Sequence, residues 1–297
     1  MAASWPRGLR ALLGMAGLGP APEEVRRRVA GRPVVITGAS RGVGACLAVR
    51  LAAVGARVLL LARDVEALAA VAQRCGPQAH TYPVDLRDAD ATRAVGQAMV
   101  TEHGTPAVLV HNAGHSICRT VAASTERFHD VQRLTGVNFT GPVALTLPLL
   151  SAMRTDGAGH LVWVGSAGVG LPGAGFSTYL ATKAAFEAWL RCLGPEAAAD
   201  GIRISTVQLP LVRTAMSAPT RAYDRLPAMT ADEAAALLCR AIVHQPRLIS
   251  PWWARTGALL TAAAPGTAER VAALVDQVGA RWTGGAAHPA PNIRETG

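Results

Sequence analysis

The stretch Thr37-Gly38-Ala39-Ser40-Arg41-Gly42-Val43-Gly44 constrains the fold most, because of what lies on either side of it. Before it, Pro33-Val34-Val35-Ile36-Thr37 is an apolar, β-branched run that reads as a buried strand, and after it residues 43–54 carry a helical pattern. Glycines at 38, 42 and 44 permit a tight turn and a close approach of backbone to a pyrophosphate. The helix start supplies free N–H groups and the positive end of its dipole. A glycine-rich loop alone is weak evidence and can be an ordinary turn; placed after the first strand of a βα series it becomes specific.

The series continues. Arg57-Val58-Leu59-Leu60-Leu61 reads as a second strand and 64–74 as a second helix. Further strands are expected at 79–84, 107–111, 160–165, 202–208 and 247–250, with helices at 88–103, 125–153, 177–199 and 231–244. Strands alternating with helices of this length imply a parallel sheet covered on both faces, and right-handed crossovers make it doubly wound. The expected fold class is therefore an α/β doubly wound Rossmann fold with a parallel sheet of about seven strands. Residues 1–30 read as an N-terminal extension, with Trp5 to Leu18 as a short amphipathic helix. The catalytic domain spans 31–254, with a variable substrate lid at 211–229. Residues 255–283 form one or two terminal helices broken at Pro265-Gly266, and the tail 284–297 lacks apolar periodicity and is expected to be disordered.

Composition narrows the partners. Half the residues are hydrophobic, enough for a sizeable core. The net charge of +9 suits nucleic acid, an anionic surface or an anionic ligand. The arginines are scattered except for Arg26-Arg27-Arg28, which argues against nucleic acid and leaves a phosphorylated cofactor or a CoA ester. The five cysteines are odd in number and form no CxxC pair, so neither a disulfide framework nor a zinc site is expected. Reduced thiols and the lack of an uninterrupted bilayer-length apolar run give a cytoplasmic expectation. Peripheral membrane contact through the N- or C-terminal helices stays open as an alternative.

Cofactor choice is read at the end of the second strand, where an acid favours NAD and cations favour NADP. Here the strand ends Leu61-Ala62-Arg63, so no acid stands in that place, and Arg63 and Arg41 are both in reach of a 2′-phosphate. Asp64 falls too late for the ribose and reads as the cap of the next helix. The expectation is NADP(H).

Tyr179-Leu180-Ala181-Thr182-Lys183 lies in a helical pattern, so Tyr179 and Lys183 share one face. A free phenol has a pKa near 10. To work as an acid or base near neutrality it needs a neighbouring positive charge, which a lysine one turn away provides. Lys183 is the only lysine in the chain, and three tyrosines are present. Random placement puts a lysine at Tyr+4 about one time in a hundred, so chance explains the pair poorly. Ser166 follows the strand Leu161-Val162-Trp163-Val164, at a carboxyl end where ligands bind, and offers a hydroxyl to a substrate oxygen. Ser177 reads as a helix cap. Asn112-Ala113-Gly114 ends the fourth strand with small residues that let a cofactor lie close, and Asn138 is a polar residue in mid-helix, where a polar task is expected.

In this combination the chain resembles the short-chain dehydrogenases/reductases over about residues 31–250. TGASRGVG, Asp85-Leu86, NAG, Asn138, Ser166 and YxxxK occur in that family's order. The resemblance implies a catalytic set of Asn138, Ser166, Tyr179 and Lys183, with Asn138 holding a water in a proton relay to Lys183. It implies a cofactor site of Gly38, Ser40, Arg41, Gly42, Val43, Gly44, Arg63, Asp85, Leu86, Asn112, Ala113, Gly114, Tyr179, Lys183, Pro210, Val212 and Thr214, with Asp85 against the adenine. It also implies a homodimer or homotetramer built through the helices at 125–153 and 177–199. Leu211 stands where the family usually has glycine, and His111 where it more often has asparagine.

A narrower resemblance, carried by Gly114-His115-Ser116-Ile117, Arg127-Phe128-His129-Asp130, residues 210–220 and residues 230–235, is to bacterial fatty acyl-CoA reductase-type members. His115 and Cys118 depart from that pattern, where arginines are expected. The implied reaction is NADPH-dependent reduction of a long acyl thioester or long-chain aldehyde. The alternatives are a ketone reductase or alcohol dehydrogenase on a sterol, polyketide or other apolar metabolite, and a non-catalytic NADP-binding protein. The lid residues Leu211, Val212, Met216, Leu226 and Met229 suit a lipophilic substrate and ordinary packing equally.

Overall fold

A computed structural model describes residues 19–220, 223 and 226–282. The predicted helix at Trp5–Leu18 and the tail from 284 lie outside the described residues. Seven strands pair in parallel in the order β3-β2-β1-β4-β5-β6-β7. They are β1 (Pro33–Thr37), β2 (Arg57–Ala62), β3 (Ala79–Pro83), β4 (Val108–His111), β5 (Gly159–Ser166), β6 (Ile202–Leu209) and β7 (Leu248–Ile249). This is the doubly wound order with its reversal between β1 and β4, the place where such sheets bind ligands.

Alternation along each strand feeds two cores. Val34, Ile36, Val108 and Val110 face one side, against Leu47 and Leu51 of α2 (Gly42–Ala53), Leu68 of α3 (Val65–Cys75) and Leu238 of α8 (Ala231–His244). Val35, Leu109, Leu161 and Trp163 face the other, against Met99 of α4 (Ala89–His103), Leu145 and Leu149 of α6 (Gly141–Asp156), and Phe186 and Leu190 of α7 (Ser177–Ala199). Because both faces are covered, the central strands are mostly apolar, with Thr37, His111 and His160 as buried polar exceptions.

Two stretches differ from the sequence expectation. Within the expected N-terminal extension, the charged residues Glu23 to Arg28 belong to a helix, α1 (Pro22–Val29). Val25 and Val29, one turn apart, are buried in the first core, so these two residues outweigh the five charges that face water. The helix expected at 125–153 is α5 (Phe128–Thr135), a π turn at Gly136–Thr140, and then α6. One extra residue in the turn is invisible to a periodicity reading, and such bulges sit at functional sites. By length and mean hydropathy, Phe128–Asp156 is sufficient to cross a membrane, yet Leu145, Leu149 and Met153 belong to the buried core.

At the C-terminus, α9 (Trp252–Ala263) and α10 (Pro265–Trp282) meet at the expected proline. Gly170 abuts Ala258 and Gly257 abuts Leu171, which seats α9 on the loop that follows β5. Trp252, Leu259, Leu260, Val271, Leu274 and Val275 are exposed on this helix pair.

Candidate active site

The phosphate loop is built around one hydroxyl. Thr37 Oγ1 accepts from the backbone N–H of Asn112 at 3.0 Å and of Ala113 at 2.9 Å, tying the end of β1 to the end of β4. The Asn112 side chain donates to the carbonyls of Thr37 and Gly38 at 3.0 and 3.2 Å. Its task here is to hold the loop, beyond the small size read from the sequence. Thr37 was legible only as the first letter of the motif, and its role as the loop's anchor was not.

Gly38 and Gly42 have φ of +66° and +57°, where a side chain is strained. A Cβ on Gly44 would overlap the Gly38 carbonyl, and one on Gly38 would stand 2.8 Å from Ala113 Cα. The backbone therefore lies bare at the start of α2, as a pyrophosphate needs. Ser40 and Arg41 complete the turn, Val43 is buried beneath it, and Thr214 at the lid's base packs its methyl toward Gly42.

The cations predicted to flank the loop are there, but they are already paired. Arg41 donates to Asp64 at 3.1 Å, while Asp64 also caps α3 by accepting from Ala67 N at 3.0 Å, as expected of it. Arg63 stands 3.7 Å from Asp85. Burial pushes the Asp85 carboxyl up, but Arg87, which donates at 2.8 and 2.6 Å, outweighs this and holds it below its ordinary value. Leu86 is buried beside it, under the start of α6. Arg41 and Arg63 keep 64% of their side-chain surface exposed, so both can turn to a phosphate.

At the other end of the cleft stand Ser166 and Tyr179, with the Ser166 hydroxyl placed to favour the phenolate form of Tyr179. Burial raises the Tyr179 phenol above its ordinary value and Ser166 pulls it back. The phenol is therefore neutral and holds its proton at neutral pH. Ser166 also accepts from Gly168 N at 3.2 Å, which fixes its rotamer. Ser177, read as a cap, is the first residue of α7, and no side chain caps that helix.

Lys183 is buried one turn along α7. Its Nζ donates to the Val164 carbonyl at 3.0 Å and lies 4.1 Å from the centre of the Trp163 ring. Burial lowers its pKa to about 7. Ser166 thus acts on Tyr179 from the loop after β5, while Lys183 stands one turn along the same helix. Gly114 flanks the amine: a Cβ there would come within 3.0 Å of Nζ and 3.4 Å of Asn138 Oδ1.

Asn138, in the π turn, is fully buried. Its Oδ1 accepts from His115 N at 2.9 Å, and its Nδ2 donates to His115 O at 2.9 Å and Thr182 Oγ1 at 3.0 Å. Both amide protons are used, so the side chain clamps the strand end that carries Gly114. Thr182 is a site residue that the sequence hid inside YLATK, where only the first and last letters drew notice.

The lid's base is closed by a bridge between Val212 and Met229, with Met229 N donating to Leu211 O at 2.8 Å. Pro210 is buried beneath it, and Met229 is part of the core, which removes it from the expected lid lining. Tyr223 stacks on Phe176 with ring centres 6.0 Å apart and planes 9° apart, and Phe176 meets Tyr179 edge-on at 6.3 Å. Neither Phe176 nor Tyr223 lies in a motif, so their meeting was not legible.

The family model for short chain dehydrogenase matches residues 32–225. The chain is 39% identical over 249 residues to an uncharacterised oxidoreductase of Mycobacterium bovis, an alignment covering 82% of this chain and 73% of the relative. It is 41% identical over 244 residues to a fatty acyl-CoA reductase of Acinetobacter baylyi, covering 81% and 82%. A solved metagenomic short-chain oxidoreductase in complex with NADP matches it with a TM-score of 0.65 and 27% identity, over 75% of this chain and 97% of that one. With two thirds of its length inside the family match and the same sheet order behind its loop and hydroxyl pair, the chain belongs to the short-chain dehydrogenase family of oxidoreductases.

Proposed function

We propose that the chain is an NADPH-dependent reductase of a lipophilic carbonyl, a long-chain fatty acyl thioester or the corresponding aldehyde, with Tyr179 as general acid. The observation that carries the chemistry is the half-buried Ser166–Tyr179 hydroxyl pair, with the buried Lys183 amine one helical turn away. A phenol that keeps its proton beside a substrate oxygen is set up to donate it. The substrate class follows the likeness to the Acinetobacter baylyi fatty acyl-CoA reductase.

The bare glycine loop, Asn112, Ala113, Gly114, Pro210, Val212 and Thr214 would hold the dinucleotide, with Asp85 and Leu86 at its adenine end and Arg41 and Arg63 on the 2′-phosphate. When bound, NADPH supplies the hydride. Ser166 Oγ orients the carbonyl oxygen, and Tyr179 Oη passes its proton to that oxygen as negative charge builds there. Lys183 offsets the charge left on the phenolate. Asn138 holds the His115 backbone and so keeps Gly114 against Lys183. For a thioester, the hemithioacetal so formed gives up its hydroxyl proton as the C–S bond breaks, releasing the aldehyde and a thiolate that takes up that proton to leave as free thiol.

Self-association is proposed at the groove between α5, the π turn and α7. It holds about 400 Å³ and is lined by Val131, Phe139, Thr178 and Ala181, on the helices expected to pair.

The test is NADPH oxidation with acyl-CoA substrates of increasing length against a panel of sterol and polyketide ketones. Turnover of long acyl-CoA with release of free thiol is expected, and turnover of ketones alone would replace this substrate class with the ketone-reductase reading. Tyr179→Phe should bind NADPH normally and lose about 100-fold or more in kcat. Unchanged kcat in that variant would remove Tyr179 from the mechanism.

A further inference from the structure

Lys183 presents a problem in electrostatics. Its amine is buried with 4% of the residue exposed, and among the described residues no carboxylate lies within ion-pair distance. A buried charge without a partner is strongly disfavoured. The groups around it do not supply a counter-charge. His111, from β4, is fully buried and is pushed down to about 3 by burial and by Lys183 itself, so its ring is neutral. It is engaged through Nε2 with Thr146 Oγ1 at 2.8 Å. Tyr179, from the same helix, is a neutral phenol. Glu187, one turn further along, accepts from Gln208 Nε2 at 2.9 Å.

What the amine does have is the face of Trp163, 4.1 Å away, and one carbonyl. Trp163 is completely buried and is held by Phe186 at 4.6 Å between ring centres, itself stacked on Trp189 at 5.4 Å. The indole cannot swing away, so its face is a fixed surface of negative potential under the ammonium. A carboxylate in that place would cancel the positive field that Tyr179 needs. An aromatic face stabilises the cation and leaves its net charge intact.

We propose that Trp163 is a positioning residue for Lys183: its indole face favours the ammonium form of the buried amine and holds it at the Gly114 edge of the cleft. This rests on the role given to Lys183 above, so its test reads the amine itself and not turnover.

The chain has a single lysine, so protein labelled with 13C-lysine gives one side-chain Cε resonance, that of Lys183. In the wild type its ε-protons should be shifted upfield by the indole ring current. Trp163→Leu should lose that shift and raise the acid dissociation constant of the ammonium about tenfold. Trp163→Phe should keep most of both effects. Phe186→Leu removes the ring that holds the indole and should shift the midpoint in the same direction by less than Trp163→Leu. Should Trp163→Leu fail to fold, incorporation of fluorinated tryptophan drains the ring face at nearly constant shape, and the midpoint should fall with each added fluorine. Wild-type ε-protons at random-coil positions, or a midpoint indifferent to Trp163→Leu or to fluorination, would overturn the proposal. A shifted midpoint supports it whether or not acyl thioesters prove to be substrates.

Discussion

Arg41 donates to Asp64 at 3.1 Å across the mouth of the phosphate loop, so the cation nearest the loop is neutralised by the residue that also caps α3. A 2′-phosphate must compete with that carboxylate for the guanidinium. Asp64→Ser keeps a capping oxygen and removes the competitor. The expected result is a several-fold lower KM for NADPH with little change for NADH. Arg41→Ala and Arg63→Ala should each raise the NADPH KM about threefold to tenfold, a modest effect because both side chains are solvent-screened. Steady-state kinetics with both cofactors is the check. Equal effects on NADPH and NADH would remove the 2′-phosphate assignment.

Gly114 leaves little room for a side chain beside the Lys183 amine. A Cβ would stand 3.0 Å from Lys183 Nζ and 3.4 Å from Asn138 Oδ1. The amine is the end of a flexible chain and can retreat, so Gly114→Ala should fold with a melting temperature lowered by only a few degrees. It should still lose about tenfold to a hundredfold in kcat, since a displacement of the activator costs that much. Gly44→Ala is the contrast. There the Cβ meets a backbone carbonyl that cannot move, and cofactor binding itself should fail. Full activity in Gly114→Ala would show that the amine's position here is not the working one.

The core of this fold was legible in the chain because β1, β2, β4 and β5 are short, mostly apolar runs set between glycine turns and helical patterns, and two-sided burial favours that composition. What escaped were features set by a single residue or by a direction. The π turn inserts one residue at Asn138 into a stretch whose apolar spacing reads as continuous helix. Residues 22–29 look like a charged linker until Val25 and Val29 are seen to share a face. The Tyr179–Lys183 spacing places both on one side of α7 but cannot say where a four-carbon chain ends, and here it ends over Trp163. Phe176 and Tyr223 come together only through the folding of the lid.

Acid should unfold the protein early. His111 and His160 are buried and held down to about 3 by burial first, then by Lys183 and Arg28 respectively. In each ring Nδ1 has no partner. An unfolded histidine takes up a proton near pH 6.5. Between that value and about 3 the unfolded chain binds protons that the native chain refuses, so stability falls as pH drops through this window. His160→Gln, which can still reach Ser205 in place of His160 Nε2, should flatten the fall between pH 6 and 4. Urea melts across pH 4–7 measure this; a slope identical to wild type would mean that His160 ionises freely in the native state.

The aromatic stack at the lid sets the last expectation. Tyr223 lies parallel to Phe176, whose edge meets the Tyr179 ring, so three rings wall off the acid from solvent on the lid side. Beyond Tyr223 a small cavity of about 130 Å³ lies among Leu211, Arg213 and Ala218. Burial, then Cys118 and Tyr179, push the Tyr223 hydroxyl up to about 12, so it stays neutral throughout the assay range and contributes as a ring, not as a titrating group. Tyr223→Ala should join the cavity to the cleft and admit longer or branched substrates. The ratio of kcat/KM for long over short substrates should rise about fivefold or more, since a few methylenes of extra contact are worth roughly 1–3 kcal/mol. Tyr223→Phe keeps the stack and should keep the wild-type ratio. Phe176→Ala removes the other half of the stack and should imitate Tyr223→Ala. If chain-length preference in Tyr223→Ala matches the wild type, the stack is packing alone and the wall of the substrate site lies elsewhere.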